Sequence, residues 1–126
     1  MDWLGMFVPR LNWRRPSVES LSAPQQEDLE RLAELREQGS RVNLPHPVRG
    51  FLVFETEAAA RQSAELLGKE GFGCTVRAGQ DGAWVTTAVM HVVPTPGSIT
   101  KLREQFEAVT SANGGTYRGW DAPVVY

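Results

Sequence analysis

Cysteine is nearly absent from this 126-residue chain, in which Cys74 stands alone. A lone thiol excludes an intrachain disulfide and a cysteine-built zinc cage, and it fits a reducing compartment. Histidine is almost as scarce, with His46 and His91 far apart. Neither has a Glu or His at helical ligand spacing, so neither a metal nor another cofactor is expected. No apolar run approaches the roughly 20 residues that a bilayer-spanning helix needs. The apolar start Met1 to Val8 precedes its arginines (Arg10, Arg14, Arg15), whereas an export signal carries its charge first. The cytoplasm is the expected location. Nor does one charge dominate: the formal net charge is −2 and the pI about 5.7. Such a balance gives no general pull towards phosphate backbones, and direct nucleic-acid binding is not expected.

What is present suits one folded domain. The 41% hydrophobic and 22% charged content is ordinary for a globular chain, and the length suffices for a real core. Residues 1–21 mix Trp3, Phe7 and Trp13 with arginines and prolines and show no sustained period. They read as an arm outside the main fold. It is either disordered or docked through Trp3, Leu4, Phe7 and Trp13 on this domain, a second copy or a membrane surface. Ser22 and Gln25 fit a capping box. The leading helix expected over 22–38 carries a narrow stripe of Leu29, Leu32, Ala33 and Leu35, with Glu30 and Glu34 among its charged residues. Gly39 supplies its stop.

The segment Arg41 to Pro47 reads as a linker with His46 in an extended loop, and the core domain is expected over 48–126. Phe51-Leu52-Val53-Phe54 is a short apolar run of strand length. Thr56 caps a helix running from Glu57 to Gly68, with Ala60, Ala64 and Leu67 on its stripe. Phe72, Cys74, Val76 and Ala78 alternate as in a half-buried strand, and Asp81-Gly82 turns the chain into an antiparallel return from Ala83 to about His91. Thr95-Pro96, with Ser98 as a competing cap, opens a helix striped by Ile99, Leu102, Phe106 and Val109. Asn113-Gly114-Gly115 stops it before a last strand that Gly119 and Pro123 interrupt. The order βαββαβ predicts an α+β, ferredoxin-like sandwich with a four-stranded antiparallel sheet, preceded by the N-terminal helix. Both crossover helices would cover one sheet face and leave the other open for contact.

No catalytic constellation is found. Cys74 reads as a small buried hydrophobe, and the glycines at 71, 73, 79 and 82 follow a helix instead of leading into one, so they make no phosphate cradle. Arg49-Gly50-Phe51-Leu52-Val53-Phe54 partly echoes an RNA-binding strand, but Phe51 and Phe54 differ in parity and cannot share a face. The chemistry expected is binding, with no enzyme activity.

Ile99-Thr100-Lys101-Leu102-Arg103-Glu104-Gln105-Phe106, leading through Asn113-Gly114-Gly115 to Thr116-Tyr117-Arg118-Gly119-Trp120, resembles the regulator of ribonuclease E activity B (RraB) family. Phe54-Glu55-Thr56-Glu57-Ala58-Ala59, Gly71-Phe72 and Pro94-Thr95 add to the resemblance, which covers about residues 25–126. It implies a ferredoxin-like domain and inhibition of an RNA-processing endoribonuclease of the ribonuclease E type through its noncatalytic scaffold region. Two departures bear on the field that a basic partner would meet. The chain stops at Tyr126 without a long acidic tail, and Arg118 stands where family members carry an acid. Candidate partner contacts are Trp84, Tyr117, Arg118, Trp120, Glu30 and Glu34, with core packing as the alternative for Tyr117 and Trp120. The alternative functions are a self-associating (homodimeric) or small-ligand-binding ferredoxin-like module and, third, direct RNA binding.

Overall fold

A computed structural model describes residues 23–126, so the arm and the Ser22 cap lie outside the described residues. The elements run α1 (Ala23–Glu37), β1 (His46–Phe54), α2 (Glu57–Lys69), β2 (Gly73–Ala78), a short 3-10 turn (Gln80–Gly82), β3 (Trp84–Val92), α3 (Pro96–Asn113) and β4 (Thr116–Asp121). Local chemistry places the boundaries. Thr56 accepts the Ala59 N–H to start α2. At α3, Thr95 and Ser98 are not competitors but partners in one capping box: each side chain accepts the other's backbone N–H, at 3.0 and 2.9 Å. Gly114, at φ +71°, ends that helix. The Asp81-Gly82 turn has positive φ at both residues, as the sequence requires for so tight a return.

The strands form one sheet in the order β2-β3-β1-β4, every neighbouring pair antiparallel. This is the ferredoxin-like arrangement, with α1 as the added leading helix. Even-numbered residues of β1 and β3 point at the helices: Val48, Leu52, Phe54 and Ala88 are buried there against Ala60, Leu67, Ile99, Leu102 and Phe106. The rings of Phe72, Phe106 and Tyr117 follow one another through this layer at centroid spacings of 5.3 and 5.5 Å. Inside it, Ser63 and Thr86 both donate to the Ala60 carbonyl, so the buried hydroxyls between α2 and β3 are satisfied. The odd-numbered side holds Arg49, Phe51, Val53, Val85, Thr87, Val89 and His91, and no described helix packs on it. The open reverse face expected from the element order is therefore present among the described residues.

His46 corrects the loop reading. It begins β1, is fully buried, and its Nδ1 donates to the Leu44 carbonyl at 2.7 Å while Nε2 meets Ser40 Oγ at 2.6 Å. Ser40 Oγ also accepts the Val125 N–H. Pro47 is tolerated in the strand because β4 pairs with β1 only from Arg49 onwards.

Gly50 marks the tightest approach of helix to sheet, since a Cβ there would overlap the Phe106 ring. Gly50→Ala is expected to lower stability by about 1–3 kcal/mol through overpacking. Urea unfolding checks this; a variant as stable as the parent would show that α3 can lift off β1 without loss.

Candidate partner-binding site

The residues between α1, α3 and β4 form a buried polar cluster on the helix side. On α1, Asp28, Leu32 and Leu35 share the buried stripe, so a carboxylate sits where the spacing calls for a hydrophobe. Its Oδ2 accepts from Arg103 Nε and its Oδ1 from Trp120 Nε1, both at 2.9 Å. All three residues are buried, and the Arg103 guanidinium also lies 3.7 Å from Glu107. Burial works against the Arg103 charge, but the hydrogen bond and charge of Asp28 outweigh it and hold the guanidinium pKa above its ordinary value. Burial, with the Asp28 charge adding to it, also pushes the Tyr117 hydroxyl well above the usual phenol range.

Trp120 reaches Asp28 because β4 is bulged. The register with β1 shifts between Gly50 and Leu52, and Gly119 takes φ +105°. A regular strand would point Tyr117 and Trp120 to opposite faces. The bulge turns both towards the helices, with Leu52 opposite Tyr117 and Gly50 opposite Trp120.

Above this cluster opens a groove of about 290 Å³, lined by Glu27, Asp28 and Arg31 of α1, Arg103 and Glu107 of α3, and Tyr117, Arg118 and Trp120 of β4. A second hollow of about 180 Å³ adjoins it, where Arg31, Glu34 and Gln38 meet Trp120 and Asp121. The rims carry both signs of charge. The geometry offers ion pairs and hydrogen bonds to a docked side chain. Among the described residues no group of His, Cys, Asp and Glu is arranged to hold a metal ion.

Compared with known protein families, residues 25–122 match the family described as Regulator of ribonuclease activity B. The chain belongs to that family. No curated protein matches it. The family's description names regulation of a ribonuclease, which is a role exercised on another protein. Among the described residues no helix is long and apolar enough to cross a membrane.

Within this RraB-family fold the candidate contacts separate. Tyr117, Arg118 and Trp120 come together in the groove, and Glu34 lines the adjoining hollow. Glu30 and Glu34 are exposed one turn apart on α1. Trp120 is 4% exposed and hydrogen-bonded. It packs in the core and forms part of the groove floor. Trp84 lies on β3, separated from β4 by β1, and is half-buried on the helix side opposite Phe54. It joins neither the groove nor the bare face. The sequence reading missed Asp28 and Arg103, although both interrupt apolar stripes: Asp28 precedes Leu32 by four residues and Arg103 follows Ile99 by four. Cys74 is half-buried on the helix side of its strand, and burial raises its thiol pKa.

Removing the Asp28 carboxylate leaves a buried guanidinium and an indole N–H without their acceptor. Asp28→Ala is expected to cost about 3–5 kcal/mol, read as a drop in urea midpoint; a change under about 1 kcal/mol would mean that water replaces the carboxylate. Tyr117 supplies a pH signature. Its folded pKa is raised, so its contribution is complete below the unfolded phenol value near 10 and is lost as pH rises beyond it. Stability between about pH 9 and pH 11 should fall more steeply in the parent than in Tyr117→Phe. Parallel slopes would place the hydroxyl in water.

Proposed function

We propose that this chain regulates an RNA-processing endoribonuclease of the ribonuclease E type by binding it in the cytoplasm, through the outer face of α1 and the groove beside β4. The observation that carries this reading is an acidic helix fixed against the core beside an open groove, in a chain of the RraB family. Glu27, Glu30, Glu34 and Glu37 stand exposed on α1, beside Arg31 and Arg36. Such a face suits a basic segment of a partner, whose approach it would steer and whose side chains the groove would seat. Arg118 at the groove rim tempers that field and favours a segment that also offers an acid. Binding to the noncatalytic part of the ribonuclease would alter its activity without any chemistry by this chain.

Direct contact with RNA has less support. The net charge is −2, and Phe51, on the bare sheet face, has the Arg49 guanidinium 5.5 Å above its ring, where a base would stack.

Purified chain and the noncatalytic region of such a ribonuclease should associate at low salt and separate as salt is raised. Glu30→Lys with Glu34→Lys, both at exposed positions, should weaken association by about tenfold or more and leave the fold intact. Equal binding by this double variant would remove α1 from the contact, and failure to recover any RNA-processing enzyme from native extract at low salt would remove the target.

A further inference from the structure

The groove beside β4 holds more hydrogen-bond donors than its own acceptors answer. Arg103 is nine-tenths buried, with 10% of its side chain exposed, yet only the Nε of its guanidinium makes a hydrogen bond. Nη1 lies 3.7 Å from Glu107, beyond hydrogen-bond distance, and Nη2 meets no acceptor among the described residues. Neither nitrogen is sealed in, since Thr87 Oγ1 is the one fully enclosed polar side-chain atom without a partner among the described residues. The Nη pair therefore opens into the groove that Arg103 lines. The Tyr117 hydroxyl, in the same wall, also makes no hydrogen bond among the described residues, and burial with the Asp28 charge keeps it protonated. It is a donor in want of an acceptor. Arg31 and Arg118 stand exposed on the rim, and neither has an ion-pair partner among the described residues. The acids nearby do not answer them: Asp28 has both oxygens engaged, and Glu27, one turn before Arg31, makes no ion pair with it.

We propose that this groove seats one carboxylate of the protein partner, an Asp or Glu side chain forked on the Arg103 Nη pair, with the Tyr117 hydroxyl donating to it and Arg31 and Arg118 closing over it. Who the partner is rests on the regulatory reading above; the seat rests on these four donors. An arriving carboxylate takes the place of Glu107, whose side chain is 46% exposed and can turn to water. The charge count selects a monoanion. Arg31, Arg103 and Arg118 stand against Glu27, Asp28 and Glu107, so no excess of positive charge is left for a dianionic phosphate. A nucleic-acid strand would also have to run along Glu30 and Glu34. A flat carboxylate, by contrast, matches the planar guanidinium fork. The groove and the outer face of α1 together describe the segment that fits: one acid for the groove, flanked by bases for Glu30 and Glu34. That order of charges gives the contact its register. A uniformly basic segment would be drawn to α1 and leave the donors of the groove unanswered.

Glutamate capped at both backbone ends, as N-acetylglutamate methylamide, tests the seat by NMR titration of the isotope-labelled full chain, with its glutamine counterpart and inorganic phosphate as the other arms. The capped glutamate should saturate with a Kd of about 1–10 mM and shift the Arg103 Nε and Trp120 Nε1 N–H signals, while the glutamine counterpart leaves them in place. Arg118→Glu and Arg31→Glu, both at exposed positions, should each weaken it at least about fivefold with an unchanged circular dichroism spectrum, whereas Glu30→Lys should not weaken it. In the complex with the noncatalytic region of the ribonuclease, Arg118→Glu should cost about tenfold in affinity, and one acid-to-lysine exchange in the partner should restore it. Signals that stay unmoved at about 100 mM capped glutamate overturn the proposal. Equal binding of the glutamine counterpart overturns it as well, and so does tighter binding of phosphate, which would make the groove a phosphate seat. If the capped glutamate binds and the ribonuclease does not, the regulatory reading falls and the seat stands; the reverse result strikes the seat and leaves the ribonuclease.

Discussion

A carboxylate withdrawn from water must find donors for both its oxygens, and the way Asp28 does so organises this molecule. One oxygen takes the Arg103 guanidinium from α3 and the other the Trp120 indole from β4. Three elements that meet only at their edges are thereby held in one geometry. Helix α1 needs this, since its apolar stripe is narrow and it packs mainly along α3. A buried ion pair of this kind adds little over a well-packed hydrophobic contact, but a misplaced α1 would strand its charges. The pair therefore fixes where the leading helix sits more than how firmly the core holds.

The same point explains the Tyr-x-Gly-Trp pattern at residues 117–120. Its glycine permits the bulge, the bulge brings two aromatic residues onto one face, and the second of them completes the Asp28 cluster. Remove the positive φ at Gly119 and Trp120 faces the bare side of the sheet, leaving Asp28 with one donor. A short motif is thus a statement about the position of a helix almost a hundred residues earlier in the chain.

Much of the fold was legible because its signals are local. The Thr56 and Thr95 caps, the Asp81-Gly82 turn, the β2 alternation and the α3 stripe each declare themselves within a few residues, and their order determined the architecture. The unread parts depend on contacts across the chain. His46, between two prolines, carries loop signals on both sides, yet tertiary bonds to Ser40 and Leu44 make it the buried first residue of a strand. Strict parity splits Tyr117 and Trp120 between faces, and Gly119 signals a bulge that can undo the split, but the side to which the bulge turns them is set by the pairing with β1. Asp28 and Arg103 looked like surface charges because helix faces usually carry them. Their one clue was position on an apolar stripe. At the candidate site, the exposed acids of α1 were readable from composition, whereas the groove beside them exists only once α1 has been docked.

Distance along the chain gives the Asp28 cluster a consequence in time. Asp28 and Trp120 are 92 residues apart, and Ser40 and Val125 are 85 apart. During synthesis the first helix is made early, but its two clasps, Arg103 on α3 and Trp120 on β4, are made only near the end. Its assembly with the sheet is a closing event, and a nascent chain carries α1 undocked through almost all of its birth.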